Sequence, residues 1–251
     1  MQLRVLAAAA VMCLFNCSGV AFASVVTETI DFNNNQMPSG WGYFIPGNTN
    51  IHIQDGRLEV GQVDSTGGIF RAFNSAGVSQ LVVDYDGNIV HEYWGMGTAI
   101  VLANTMGTFS NGFVQSEMRT YGYGSDQMDH RVFGTLNGVF NMDYDSGLSN
   151  VIPGSYHLRT VFQDGLINQT ITNLGTNATS SSGDILVPDL QLSSMHFLYL
   201  QGLATTGDSA WIDNVVITTT SVSEPASLAL LGAGLLGLGF GRRKKSVKKI
   251  A

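Results

Sequence analysis

The 251-residue chain carries a formal net charge of −7, is 44% hydrophobic and contains two cysteines. Both cysteines, Cys13 and Cys17, precede residue 24, which excludes disulfides, thiolate metal sites and cysteine nucleophiles from everything that follows. From residue 24 to Glu224 the chain holds five arginines, no lysine and 19 acidic residues, a formal charge of −14. Such a surface repels nucleic acid and other anionic polymers, so no nucleic-acid partner is expected.

The first 23 residues have the three regions of a secretory signal peptide. Arg4 supplies the positive start, residues 5–15 form an apolar stretch, and Ala21 and Ala23 are the small residues of a cleavage site before Ser24. We therefore predict export through the Sec translocon, with signal peptidase cutting after Ala23.

Residues 24–220 form the predicted folded domain, and their pattern is one of short strands separated by turns. Apolar and polar residues alternate over runs such as 25–32, 113–123 and 156–162, and no stretch shows a persuasive helical period. The dipeptides that predict turns are Asp55-Gly56, Asp86-Gly87, Asn137-Gly138 and Asp164-Gly165. These features predict an all-β fold, one antiparallel β-sandwich of the jelly-roll type.

Short motifs at both ends of this domain resemble those of concanavalin A-like folds, the laminin G or lectin/glucanase-like jelly rolls. The opening motifs are Asp31-Phe32, Pro38-Ser39-Gly40-Trp41 and Asp55-Gly56-Arg57-Leu58, and the closing strand is 210–217. The resemblance implies that the first and last strands lie side by side, and it hints at carbohydrate binding.

Calcium is the metal that the acidic residues favour, because Ca²⁺ takes several oxygen ligands. If the first and last strands pair, Asp31 and Asp213 come together, and we predict that they hold a structural Ca²⁺ that joins the two ends of the domain. Two further carboxylate pairs stand beside predicted turns, Asp84 with Asp86 and Asp143 with Asp145. These pairs are equally explained as ordinary turn residues.

Aromatic side chains are the candidates for carbohydrate binding, since the flat face of a pyranose stacks on a ring. Tyr121 and Tyr123 share one face of a predicted strand across Gly122, and Trp94 follows the end of another strand. The polar residues nearest to the two tyrosines include Asp126 and Asp129. We predict that these five residues, the three rings and the two carboxylates, contribute to a ligand-binding site.

The sequence favours a non-catalytic protein. Glucanases of the lectin/glucanase-like fold usually carry Glu-x-Asp-x-x-Glu on one strand, and this motif is absent here. Glu92 and Glu117 each lack a carboxylate partner at that spacing, and no Gly-x-Ser-x-Gly sequence accompanies the histidines. A carbohydrate-active enzyme, either a glycoside hydrolase or a lyase, remains the competing class because catalytic carboxylates can come from separate strands.

The C-terminal segment, residues 221–251, has three successive parts. Ser223, Glu224 and Pro225 come first, an uncharged run over 226–240 follows, and a basic cluster over 242–249 ends the segment. The run is shorter than the roughly 20 residues that span a bilayer, and its glycines weaken a helix. We expect a short hydrophobic helix that associates transiently with the inner membrane, its basic end on the cytoplasmic side.

This order resembles the PEP-CTERM sorting signal of Gram-negative bacteria. The resemblance rests on Glu224-Pro225, the Leu/Gly-rich run and the basic residues Arg242, Arg243, Lys244 and Lys245, and Ser223 stands where the first proline of the usual Pro-Glu-Pro would be. It implies recognition by exosortase, removal of the tail, and delivery to the cell surface or the exopolysaccharide matrix. The predicted role is therefore that of a surface or matrix protein that binds exopolysaccharide, or one that is purely structural or adhesive.

Overall fold

The computed structural model describes the body of the chain and leaves both terminal segments outside the described residues. The described ranges are 23–45, 50–61, 65–89, 97–107, 109, 111–120, 127–149, 154–204 and 209–222. For 65–66, 89, 120, 127–129, 140–149 and 204 the description covers the backbone alone. Residues 25–221 form one compact unit. Nowhere in these ranges is there a helix with the length and apolar character needed to cross a bilayer.

Two antiparallel sheets make up this body, as the alternating pattern predicted. The strands are β1 (Ala23–Ile30), β2 (Gly42–Phe44), β3 (Asn50–Gln54), β4 (Arg57–Gly61), β5 (Ser65–Ala72), β6 (Val78–Ile89), β7 (Gly97–Ala103), β8 (Phe113–Thr120), β9 (Gln127–Leu136), β10 (Val139–Ser149), β11 (Gly154–Gln163), β12 (Leu166–Asn173), β13 (Thr179–Leu186), β14 (Phe197–Ala204) and β15 (Ser209–Val222). One 3₁₀ turn, Leu192–Ser194, precedes β14. The eight-stranded sheet has the order β13-β12-β11-β6-β15-β4-β3 with β1 on β15, and the seven-stranded sheet has the order β10-β9-β8-β7-β14-β5-β2.

The last strand, β15, lies inside the eight-stranded sheet and pairs on both sides. β6 runs along one side of it, while β4 pairs with its first residues on the other side. Farther along that side β1 takes over, where Thr27 Oγ1 lies 3.3 Å from Thr218 Oγ1 and the Thr219 hydroxyl donates to the Val26 carbonyl. The first and last strands therefore lie side by side, as expected.

The main core fills the space between the two sheets and follows the two-residue period of the strands. On β6, Leu81, Val83 and Tyr85 point inward, and on β11 Leu158 and Phe162 meet them; all five are at most 1% exposed. Full burial of each such side chain stabilises the fold by about 1.5–3 kcal/mol. The chain after residue 24 has no disulfides to add to this, so the core is the main source of its stability.

Three of the four predicted turns are present. Asn137 and Gly138 have φ values of 50° and 77° between β9 and β10, and Asp55 and Gly56 have 52° and 77° between β3 and β4, the left-handed values of a tight hairpin turn. Asp164-Gly165 likewise joins β11 to β12.

The fourth turn, at Asp86-Gly87, was predicted wrongly, because β6 continues through it to Ile89. The glycine at 87 instead allows the backbone of β15 to approach closely, because a Cβ on Gly87 would stand 3.1 Å from the Trp211 carbonyl oxygen. The Asp86 carboxylate contacts two neighbouring strands: it accepts one hydrogen bond from the Asn214 side chain and lies within hydrogen-bond distance of His157.

The two ends of the sandwich differ in what they carry. We call one end the terminal pole; it is marked in the eight-stranded sheet by the row Leu186, Leu166, Gln163, Gln80, Thr220. The chain enters β1 and leaves β15 at this pole. The other end we call the loop pole; its markers in the seven-stranded sheet are the neighbours Leu203, Gly97 and Arg119. The connections 62–64, 90–96, 121–126, 150–153 and 205–208 all join strand ends at the loop pole.

Replacing Gly68 with alanine tests the packing of β5 on β14. A Cβ at Gly68 would lie 1.9 Å from the Leu200 carbonyl oxygen, which is backbone and cannot move aside alone. We expect G68A to lower the free energy of unfolding by about 2–3 kcal/mol in urea denaturation. The control is G175A, where the nearest atom is the Asn173 side-chain oxygen at 3.3 Å; its effect should stay within about 0.5 kcal/mol. Equal effects would contradict the close approach.

Candidate functional site

The outer face of the seven-stranded sheet carries a polar row in the half nearer the loop pole. On β8 the residues Val114, Ser116 and Met118 point into the main core, so Gln115, Glu117 and Arg119 point outward by the two-residue period of a strand. From the neighbouring strands, Arg131 of β9 lies opposite Glu117 on one side and Ala99 of β7 lies opposite it on the other.

Glu117 is the centre of this row. The side chain is 3% exposed, and its Oε1 atom lies 2.8 Å from Arg131 Nη1 and 3.3 Å from Arg119 Nε. Its second oxygen accepts a hydrogen bond of 2.7 Å from Gln115 Nε2. A buried carboxylate needs such donors, because burial without them is costly. Among the side chains described on this face, Glu117 has no second carboxylate beside it, so the pair that a glycosidase needs is not assembled from them.

Gln201 of β14 is fully buried on the same face and is separated from Glu117 by Ala99 of β7. It stands between Ala99 of β7 and Gly68 of β5. Neither its amide nitrogen nor its amide oxygen has a hydrogen-bond partner. No sequence pattern marks this residue as buried, since a lone glutamine in a strand is usually exposed.

An aromatic cluster occupies the half of the face nearer the terminal pole. Tyr199 stacks on Phe70 with ring centroids 5.3 Å apart, and Phe109 and Phe44 meet Tyr199 edge-on at 5.2 and 5.3 Å. The Gly107 amide donates to the Tyr199 hydroxyl, and burial raises the pKa of that phenol. These rings pack on one another, so their first role is to stabilise this face.

Four of the five residues predicted to bind a ligand lie outside the described part of the chain. Trp94, Tyr121, Tyr123 and Asp126 lie outside the described residues, and Asp129 is described in its backbone alone, opposite Arg119. The strand ends that flank their connections are neighbours in the sheet, since Gly97 pairs with Arg119 and Arg119 pairs with Asp129. The role of all five residues stays a prediction.

The predicted calcium ligands Asp31 and Asp213 lie away from the terminal pole: Asp31 directly follows β1, and Asp213 lies within β15. Asp31 Oδ1 accepts a hydrogen bond from the Asn33 amide at 2.6 Å, and Asp213 Oδ1 accepts one from the Asn214 amide at 2.7 Å. Across the described part of the chain, no three histidine or carboxylate side chains converge to hold a metal ion. The Asp31–Asp213 site stays a prediction.

The carboxylate pairs at 84 and 86 and at 143 and 145 do not stand at turns. Both pairs lie within strands, β6 and β10. Asp84 forms two hydrogen bonds of 2.9 Å with Arg159 Nη1, and Asp86 lies 2.9 Å from His157 Nδ1. Asp84 and Asp86 therefore bind side chains of the neighbouring strand on the outer face of the eight-stranded sheet.

A separate cavity of about 260 Å³ opens beside the terminal pole, where β1, β5 and β15 meet. Its lining includes Val26, Phe73 and Ile217 together with the ion pair of Arg71 and Glu28. The Arg71 guanidinium lies 5.1 Å from the centre of the Trp41 ring, a cation–π distance. This arrangement joins the first strand to the seven-stranded sheet.

The residues predicted for processing lie at or beyond the ends of the described body. Ala23 and Ser24 begin β1, whereas Ala21 lies outside the described residues. Ser223, Glu224, Pro225 and the basic residues Arg242, Arg243, Lys244 and Lys245 also lie outside them. The two predicted cleavage regions therefore flank strands that are paired with each other.

Comparison with protein families identifies residues 221–245 as a PEP-CTERM protein-sorting motif. This confirms the resemblance seen in the tail, and the motif implies export, cell-surface sorting and processing by exosortase. No curated protein matches the chain.

Solved structures similar to this chain include plant lectins. Peanut lectin, solved with a 9mer peptide, has a TM-score of 0.52 and 12% identity over 80% of this chain and 99% of its own. Lectin I from Ulex europaeus, solved with the methyl glycoside of α-L-fucose, has a TM-score of 0.54 and 11% identity over 78% and 98%. The CBM2 module of the evolved Dit of Lactobacillus casei BL23 phage J-1 has a TM-score of 0.56 and 10% identity over 80% of this chain and 99% of its own. These likenesses confirm the concanavalin A-like jelly roll.

Replacing Glu117 with alanine tests the buried ion pair. The substitution removes the acceptor that Arg131 and Gln115 share, so we expect E117A to lower the free energy of unfolding by about 2–4 kcal/mol in urea denaturation. The control is R159A, which breaks a pair whose arginine is 48% exposed; such pairs contribute about 0–1 kcal/mol. If E117A costs no more than R159A, the pair does not stabilise the sheet face.

Proposed function

We propose that this chain is an exported, non-catalytic surface or matrix protein that binds carbohydrate through the loop pole of its sandwich. The observation that carries the proposal is the combination of a PEP-CTERM motif over 221–245 with a lectin-like body in one chain. The motif supplies the destination, a polysaccharide-rich surface. The fold supplies a scaffold on which loops at one end can carry a binding site.

The described strand ends on either side of the predicted ligand residues support binding at the loop pole. The segment with Trp94 leads into β7 at Gly97, the segment with Tyr121 and Tyr123 follows the end of β8, and Gly97 pairs with Arg119. In the Ulex lectin structure, a protein of similar fold was solved with a fucoside. For this chain, aromatic stacking with few charged contacts suits a neutral polysaccharide, because the body has a formal charge of −14 between residue 24 and Glu224.

The surroundings of Glu117 support a non-catalytic role. Both carboxylate oxygens of Glu117 accept hydrogen bonds from arginine or glutamine side chains. The carboxylate therefore stabilises the sheet face. A glycosidase acid must instead reach the glycosidic oxygen, with a second carboxyl about 5–9 Å away. The described side chains of this face supply no such partner.

A structural or adhesive role is the second candidate, and the outer face of the eight-stranded sheet favours it. Polar side chains there bond to each other across strands, with Thr172 Oγ1 2.9 Å from Thr179 Oγ1 and Asn168 Nδ2 3.2 Å from Asp184 Oδ1. A face whose polar groups satisfy one another needs no ligand. It suits a building element of a matrix.

A glycan array tests the binding proposal. The full chain, expressed without exosortase and purified in detergent, is applied with and without Ca²⁺. We expect neutral polysaccharide fragments to bind. We expect Y121A and W94A each to weaken that binding about tenfold, by analogy with base stacking on an aromatic side chain, which is worth roughly 1–3 kcal/mol. Stronger binding with Ca²⁺ that is lost in D31N would support the predicted calcium site. Silence in both arms would contradict carbohydrate binding and leave the structural role.

Deletion of residues 223–251 tests the sorting proposal. In a host with exosortase, the full chain should appear at the surface in a processed size, because exosortase removes the tail. The chain that lacks residues 223–251 should appear in the periplasm or the medium and not in the cell-surface fraction. Fractionation with immunoblotting measures both. Mass spectrometry of surface material that recovers peptides through Phe240 would contradict removal of the tail.

A further inference from the structure

We propose that the terminal pole of the body rests on a zwitterionic lipid surface while the tail is attached, so that the loop pole faces away from the membrane. The inference rests on the expected association of the tail with the inner membrane through the apolar run over 226–240. It does not depend on carbohydrate binding.

The connection between body and tail is too short to let the body stand away from the bilayer. β15 pairs with β6 as far as Ser221, which lies opposite Val78, and it ends at Val222. Residues 223–225 alone separate it from the uncharged run over 226–240. Because an extended chain advances at most about 3.5 Å per residue, Val222 lies within about 14 Å of the first apolar residue.

The terminal pole exposes aliphatic side chains in two places. Val25 and Val26 of β1 are each 63% exposed beside the end of β15, where Val222 is 45% exposed. Leu186, at the end of β13, is 73% exposed. Four strand spacings separate β13 from β15, which is about 19 Å. Two apolar contacts this far apart fix the tilt of the body, which a single tether would leave free.

The ionisable groups of this pole select the kind of lipid surface. Asp164, which accepts a hydrogen bond of 2.7 Å from the Leu192 amide, and Asp189 are acidic. Arg71 is paired with Glu28. The net charge at the pole is therefore negative, and this favours zwitterionic headgroups over anionic ones.

A contact between the terminal pole and the lipid surface would orient the body with its loop pole away from the membrane. The row at the loop pole through Leu174, Ser155 and Asn88 lies at the far ends of the same strands. Leu166 lies beside Leu186, and eight residues of strand and turn separate Leu166 from Leu174, about 26 Å. The connections at the loop pole are thus held clear of the lipid before exosortase acts, and they can meet a polysaccharide at that stage.

Two exposed leucines at opposite ends of one hairpin provide a matched test. In the chain from Ser24 onward, which contains no cysteine, single cysteines are introduced as L186C or L174C and labelled with an environment-sensitive dye. The labelled chains are reconstituted in phosphatidylcholine vesicles that contain nitroxide-labelled phosphatidylcholine. We expect quenching and a blue shift of the dye at 186, and neither at 174. Equal quenching at both sites, or stronger quenching at 174, would overturn the proposal.

A second variant separates the contact from the tether. V25S and V26S together, in the L186C background, should reduce the quenching at 186, because they remove the apolar contact beside the tail. Unchanged quenching would overturn the role of the apolar pole. Circular dichroism verifies that the variant is folded. A blue shift of the dye at residue 186 in detergent-free protein without vesicles would indicate that a second copy of the chain covers this pole. That result would also overturn the proposal. A silent glycan array would not affect any of these readings.

Discussion

The pairing of the first strand with the last is the constraint on which the rest of the structure depends. β15 lies between β6 on one side and β4 and β1 on the other, so the closing segment of the body is a central strand of its sheet. This arrangement brings the start of β1 and the end of β15 to one pole, next to the sorting motif. The connections with the predicted ligand residues then start from the opposite pole.

The chemistry of the seven-stranded sheet separates support from recognition. Glu117, Arg131 and Gln115 form a buried, mutually bonded group in mid-sheet, and the Tyr199 cluster packs the other half of the same face. Both halves stabilise the scaffold. Recognition is therefore proposed for the loop pole, because connecting loops can carry binding residues without disturbing the core.

The lectin-like fold at 10–12% identity is a likeness of backbone architecture, and one architecture hosts many functions. The function proposed here follows from the sorting motif and from the placement of aromatic residues. The proposed contact of the terminal pole with lipid adds a sequence of events. The body is first held at the membrane with its loops outward, and removal of the tail then releases it to the surface.

The sequence by itself determined the all-β class and the sorting motif, because strand alternation, turn dipeptides and an apolar run followed by a basic cluster are local signals. It also placed three of four turns, and the resemblance to concanavalin A-like folds implied the pairing of β1 with β15. Only the tertiary structure decided that Asp86-Gly87 lies within a strand, that Glu117 is buried with Arg131, and that Gln201 is buried without partners. Each of these depends on which residues of distant strands become neighbours, and a single strand's pattern contains no information about its partners across the sheet.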